Sequence, residues 1–205
     1  MLRLRQTKLE NDVKLTRRSA LSLTAAAATM GFAGLPQALA ADGDTHNVAD
    51  LMNVTGVQDR PLGDPDAPVT VIEYASPTCP HCARFHVDTY PEFKELYVDT
   101  GKVQFILRPF VRNVLDAVVF MLAESAGEDA YHNVVDTYFE TQNTWASSSA
   151  PRDAILEVAL QLGFTEESFE AALTNQELFQ GMEAAREQAL EQFDLTGTPT
   201  FYING

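Results

Sequence analysis

A β-rich run, Val69-Thr70-Val71-Ile72-Glu73-Tyr74, leads through Ser76-Pro77 into Cys79-Pro80-His81-Cys82, and these two cysteines are the only ones in the 205-residue chain. The turn cluster Gly63-Asp64-Pro65-Asp66-Ala67-Pro68 bounds the run on one side and Ser76-Pro77 on the other, so it reads as a buried strand. Pro80 suits a first helical position, where its missing N–H costs nothing, and a helix is expected from Cys79. A cysteine at a helix N-terminus sees the partial positive charge of unpaired N–H groups, which favours the thiolate. His81 can add a cationic or donor partner. Cys82 lies one turn on, where it can attack a disulfide formed on Cys79. Cys79 is therefore expected to be the exposed thiol of low pKa, and Cys82 the buried one.

Other uses of two cysteines fit less well. Half a zinc ribbon needs a second Cys-x-x-Cys, and His81 with His86 could complete a ligand set only in a cramped local geometry. Haem attachment needs histidine directly after the second cysteine, where Ala83 stands. A static structural disulfide would explain neither the strand before the pair nor the helix start after it. No cofactor and no metal are expected.

Behind the pair, Phe85, Tyr90, Phe93, Leu96 and Tyr97 form a loose apolar stripe. Pro91 should kink or split that helix, and Asp99-Thr100-Gly101 should end it. Val103-Gln104-Phe105-Ile106-Leu107 is a second strand, and the strand–helix–strand order implies parallel pairing. From Asn113 to Asp194 the pattern is helix after helix. Leu115, Val118, Val119, Leu122 and Ala126 share one face, as do Tyr131, Val134, Val135, Tyr138 and Phe139. Gly163 should stop a helix and Thr165 should cap the next. Strand character returns at Thr200-Phe201-Tyr202-Ile203. Asn204-Gly205 then reads as a hairpin turn, which suggests that a final strand and helix are lacking. Residues 41–56 read as a flexible segment, with a short strand near Val57.

The first forty residues have the order of a cleavable export signal. Arg3, Arg5, Lys8, Lys14, Arg17 and Arg18 form a basic region, an alanine-rich apolar run follows, and Ala38-Leu39-Ala40 precedes Ala41. The pair Arg17-Arg18 before a mildly apolar run is similar to a twin-arginine signal. Cleavage after Ala40 would leave the mature protein in the periplasm with no membrane insertion. Six of the 14 basic and two of the 29 acidic residues lie in 1–40, so the remainder carries 8 and 27 and a net charge of −19. Such a surface argues against nucleic-acid partners.

The strand, the Cys-Pro-His-Cys motif, a long helical stretch and then Thr198-Pro199 before a strand together resemble the DsbA family of thioredoxin-fold disulfide oxidoreductases. The resemblance covers residues 57–205. It implies an α/β thioredoxin fold with a helical insertion at about 111–194. It also implies that Thr198-Pro199 is a cis-proline loop beside the dithiol, and that Glu73 is an acid buried under the active site. Taken alone, a glutamate in an apolar strand is more simply an edge or surface residue. The expected activity is thiol–disulfide exchange, with thiol-containing exported proteins as substrates and a separate redox partner to reset the pair. Introduction of disulfides is the first reading. An isomerase or reductase of the same fold, or a non-catalytic chaperone or metal-binding module, stays open.

Overall fold

The computed structural model describes residues 45–205. The expected export signal and its cleavage point lie outside the described residues. Strands β1 (Pro61–Leu62), β2 (Val69–Ala75), β3 (Val103–Pro109) and β4 (Thr200–Ile203) form one sheet in the order β1-β3-β2-β4. The β2–β3 pair is parallel, as the intervening helix requires, whereas β4 runs antiparallel to β2 and β1 antiparallel to β3. The expected strand near Val57 is instead the two-residue β1, a few positions later.

Strand alternation sorts the core into two layers. Val71, Ala75, Phe105 and Leu107 point to one side, where they join Cys79, Cys82 and the helical segment. Ile72, Tyr74, Ile106 and Tyr202 point to the other, where they meet Leu51, Ala189, Phe193 and Leu195. Because β2 lies between β3 and β4, Glu73 is neither at an edge nor at the surface; it pairs in register with Leu107 and Phe201 and is fully buried.

Part of the segment expected to be flexible is anchored. Asn47 caps the short helix α1 (Val48–Leu51), accepting from the backbone N–H of Ala49 and Asp50. Leu51 inserts into the second core layer. Further on, Gln188 Oε1 accepts from Thr55 N–H, and Gly56 lies backbone to backbone against Gly181. Neither glycine has room for a Cβ.

The helix after the dithiol is broken as Pro91 dictates. It consists of α2 (Pro80–Arg84), a π-turn at Phe85–Thr89, α3 (Tyr90–Phe93) and a second π-turn at Lys94–Val98. Pro91 has no N–H to donate, and the ladder widens just before it, with Tyr90 N–H bonding to Phe85 O. The wider turns shift the helical phase, so Leu96 and Tyr97 stay exposed instead of continuing the buried stripe.

Between β3 and β4 lie α4 (Val114–Ser125), α5 (Glu128–Glu140), α6 (Gln142–Trp145), α7 (Pro151–Gln161), α8 (Glu166–Ala172) and α9 (Gln176–Gln192). Helix α4 is buried on most of its circumference, including Val119, Phe120, Met121 and Leu122. Gly163, with φ of +94°, ends the α7 segment, and Thr165 caps α8 by accepting from Ser168 N–H.

Candidate active site

Cys79 is the N-cap of α2 and Pro80 its first residue, so the backbone N–H groups of His81 and Cys82 lack helical partners and face the Cys79 sulfur. Both cysteines are free thiols. The cis bond at Thr198-Pro199 brings that loop against the pair across 119 positions of sequence, and Cys79 Sγ donates to the Thr198 carbonyl at 3.2 Å. That cover corrects the expected exposure, because Cys79 is only 2 % exposed. Pro80 and His81 are the exposed members of the motif.

The two thiols differ in their chemistry. Burial pushes the Cys79 thiol up, but hydrogen bonds outweigh it and leave its pKa below the ordinary value. The first of these influences is the Thr198 side chain, followed by the backbone N–H of Cys82, that of His81, and the Cys82 thiol. His81 thus contributes through its backbone rather than through its imidazole. The Thr198 hydroxyl oxygen is buried and has no hydrogen-bond partner among the described residues, which leaves it free to donate to a thiolate. Burial drives the Cys82 thiol far up, and negative charge at Cys79 and Glu73 drives it further.

Two polar clamps from the helical segment hold the loop that presents Cys79. Asp116 of α4 is fully buried; its Oδ1 accepts from Ser76 Oγ and from Thr78 N–H, each at 2.8 Å, and its Oδ2 from Arg112 N–H at 2.9 Å. On the other side, Gln142 of α6 donates from Nε2 to the carbonyls of Pro77 at 2.6 Å and Cys79 at 2.9 Å. Neither residue was singled out from the sequence. Asn113-x-x-Asp116 resembles a capping pattern, and Asn113 does cap α4, but Asp116 turns to the loop instead of only closing the helix.

Beneath the pair, Glu73 Oε2 bonds to His86 Nε2 at 2.9 Å, and His86 Nδ1 bonds to Asp136 Oδ1 at 3.1 Å. His86 stacks on Phe139 with ring centroids 4.1 Å apart. Burial alone would lower the imidazole pKa, yet hydrogen bonds and charge from Asp136 and Glu73 raise it to about 9. Burial raises the Glu73 carboxyl, against the opposing pull of His86. The signal for His86 was present in the sequence, since it lies four residues after Cys82 and so on the same buried helix face.

The comparisons agree with this geometry. A family model described as Thioredoxin matches residues 55–205. A Rickettsia bellii protein named as a protein-disulfide oxidoreductase is 30 % identical over 148 residues, which are 72 % of this chain and 57 % of that protein. The chain therefore spans little more than half the length of that relative. A Bacillus anthracis protein named as disulfide bond formation protein D is 28 % identical over 155 residues, covering 70 % of this chain and 69 % of its own. The crystal structure of Wolbachia pipientis alpha-DsbA1 superposes with a TM-score of 0.69 at 28 % identity, covering 75 % of this chain and 78 % of that one. With its fold, its dithiol and these relatives taken together, the chain belongs to the DsbA family of thioredoxin-fold proteins.

Proposed function

We propose that the protein is an exported thiol–disulfide oxidoreductase that introduces disulfide bonds into thiol-containing proteins of the periplasm. The observation that carries this reading is the opposed tuning of two thiols one helical turn apart: Cys79 is favoured as the thiolate and Cys82 is held as the thiol. The export signal read at residues 1–40 supports the location, where disulfides persist.

In the oxidised protein a substrate thiolate attacks Cys79 Sγ. The Cys79–Cys82 bond breaks, and Cys82 leaves with the electron pair and takes a proton. A second substrate thiolate then attacks the substrate sulfur of the mixed disulfide. The substrate gains a disulfide, and the two electrons remain on the protein as the Cys79 thiolate and the Cys82 thiol. A thiolate stabilised by Thr198 and by two backbone N–H groups is a good leaving group and favours the reduced protein, which drives oxidation of the substrate. A separate redox partner resets the pair. Pro199 holds the Thr198 backbone beside the sulfur, Glu73 serves Cys82 from below, and Pro80 starts the helix.

The test uses the full chain, oxidised and mixed with a reduced peptide carrying two cysteines. Mass spectrometry should show peptide losing two hydrogens as the protein gains two, and Cys79→Ser should abolish the transfer. Retention of activity by Cys79→Ser would sink the reading. Equilibration with glutathione separates donor from reductase: a disulfide donor is reduced at glutathione ratios that leave a reductase oxidised.

A further inference from the structure

We infer that Arg112 is a specificity-determining residue, which draws an acidic side chain of the incoming substrate into a groove that opens beside the dithiol loop, between the start of α4 and helix α9. This rests on the oxidoreductase reading above and names the class of cysteine oxidised first: one with a carboxylate close by in the substrate sequence.

Arg112 lies between β3 and α4, against the loop that presents Cys79. Its Nε donates to Ser76 Oγ at 3.0 Å and its Nη2 to Thr78 Oγ1 at 3.3 Å. Asn113 Nδ2 also donates to Thr78 Oγ1, at 2.8 Å. Two bonds to neutral hydroxyls orient the guanidinium without neutralising it, and the residue is exposed. Its planar fork suits a carboxylate better than a compact ammonium would.

The charge of the chain makes such a cation conspicuous. Beyond residue 40 there are 8 basic residues against 27 acidic ones. Arg60, Lys94, Arg108 and Arg152 each face a carboxylate. Among the described residues Arg112 and Arg186 form no ion pair, and both line the same groove. The Arg186 guanidinium lies 5.5 Å over the ring of Phe110, two residues before Arg112, and its Nε is buried with no hydrogen-bond partner among the described residues.

The groove measures about 870 Å³, with Arg112 and Val114 on one wall and Phe179, Arg186 and Leu190 of α9 on the other. Val114 is 67 % exposed and Leu190 39 %, so each wall also offers apolar surface. Both walls lead to the dithiol. One does so through the bonds of Arg112 to Ser76 and Thr78, the other because α9 is followed by the Thr198-Pro199 loop that covers Cys79. An extended chain advances about 3.3 Å per residue, so two or three residues beyond a cysteine bound at Cys79 reach a guanidinium held on the neighbouring Thr78.

The same groove limits what it accepts. Glu183, Glu187 and Glu191 follow one another at four-residue spacing on α9 and are exposed. They repel a segment with several carboxylates. The occupant is therefore a substrate segment with one acidic residue near its cysteine and neutral or basic residues farther on.

The experiment mixes the oxidised full chain with reduced two-cysteine peptides, identical except for Glu, Gln or Lys placed two residues before the first cysteine or two residues after the second. Initial rates of peptide oxidation are read at pH 7 by acid quench and mass spectrometry. Exposed ion pairs are weak, but attraction is here compared with repulsion, so the Glu peptide should react on the order of fivefold faster than the Lys peptide in at least one of the two positions. Raised salt should shrink that ratio. Arg112→Gln should bring it towards one and Arg112→Glu should invert it. The ratio is taken within each variant, so a general loss of activity cancels; should Arg112→Glu fail to fold, Arg112→Gln and the salt series still decide. Arg84→Gln should leave the ratio as it is, because Arg84 is exposed on α2 and does not line the groove. Equal rates for Glu and Lys peptides in the wild type, or a preference that survives Arg112→Gln, would overturn the inference. A wild-type preference for Lys would overturn it too, by giving the groove to the glutamates of α9. Failure of the wild type to oxidise any peptide would overturn the oxidoreductase reading itself.

Discussion

Replacing His86 by glutamine in the oxidised protein should remove a decline in stability between pH 6.5 and 9. In the folded protein the His86 pKa is raised to about 9, with burial opposing and Asp136 and Glu73 prevailing. An unfolded histidine titrates at about 6.5. A group whose pKa is raised by folding stabilises the native state fully below the unfolded value, and that contribution is lost as pH rises through the folded value. A difference of about 2.5 in pKa corresponds to about 3 kcal/mol, which is the most His86 can contribute. The raised Glu73 carboxyl follows the same rule from its own unfolded pKa upward, so its loss starts in the acid range. Using the oxidised form removes both thiols from the titration. Urea melts at pH 6.5, 7.5, 8.5 and 9.5 should show the wild type losing up to about 3 kcal/mol, with His86→Gln less stable at pH 6.5 and nearly level thereafter. A wild type that is equally stable at pH 6.5 and 9.5, or a variant that declines in parallel with it, would refute the claim that His86 is charged in the fold.

Three further outcomes are expected. Asp59→Ala strips the bidentate partner from Arg108, which is 1 % exposed, and should cost about 3–5 kcal/mol in a denaturant melt because a buried guanidinium is left with only Tyr74. Gly181→Ala, which in an exposed helix would add about 1 kcal/mol, should instead lower the melting temperature, because the new Cβ meets the Gly56 backbone. At pH 7 the reduced protein should resist urea better than the oxidised one. The depressed Cys79 pKa gives a stabilisation that is complete above the unfolded thiol pKa and fades as pH falls through the folded one, so the gap should close in acid; an oxidised form that is the more stable at pH 7 would contradict this.

Local features of the site were legible in the sequence because they depend on neighbours in the chain. Pro80 after Cys79 specifies a helix start, and that start alone aims the N–H groups of His81 and Cys82 at the sulfur. Pro91 specifies the break, though not that it would take the form of two π-turns that rotate Leu96 and Tyr97 out to solvent. The β-branched run Val69-Thr70-Val71-Ile72 marks β2 and the largely apolar run Val103 to Leu107 marks β3, and the helix between them dictates their parallel pairing.

The partners that tune the dithiol come from far along the chain, and only the tertiary structure decided them. Glu73 looks like a surface residue until β2 is placed between β3 and β4, which buries its side chain on the dithiol side of the sheet. Closure of the Thr198-Pro199 loop over Cys79 hides a sulfur that its helix-start position alone would leave open. Gln142 and Asp136 carry no motif, and the capping pattern at Asn113-x-x-Asp116 does not announce the contact of Asp116 with the loop. Each acquires its role when the helices between β3 and β4 fold back against the loop before α2 or the π-turn after it, because a hydrogen bond depends on distance in space and not on separation in sequence. The sequence by itself determined which sulfur would ionise; the packing of remote helices decided what holds that sulfur in place and which groups lie between its buried partner and solvent.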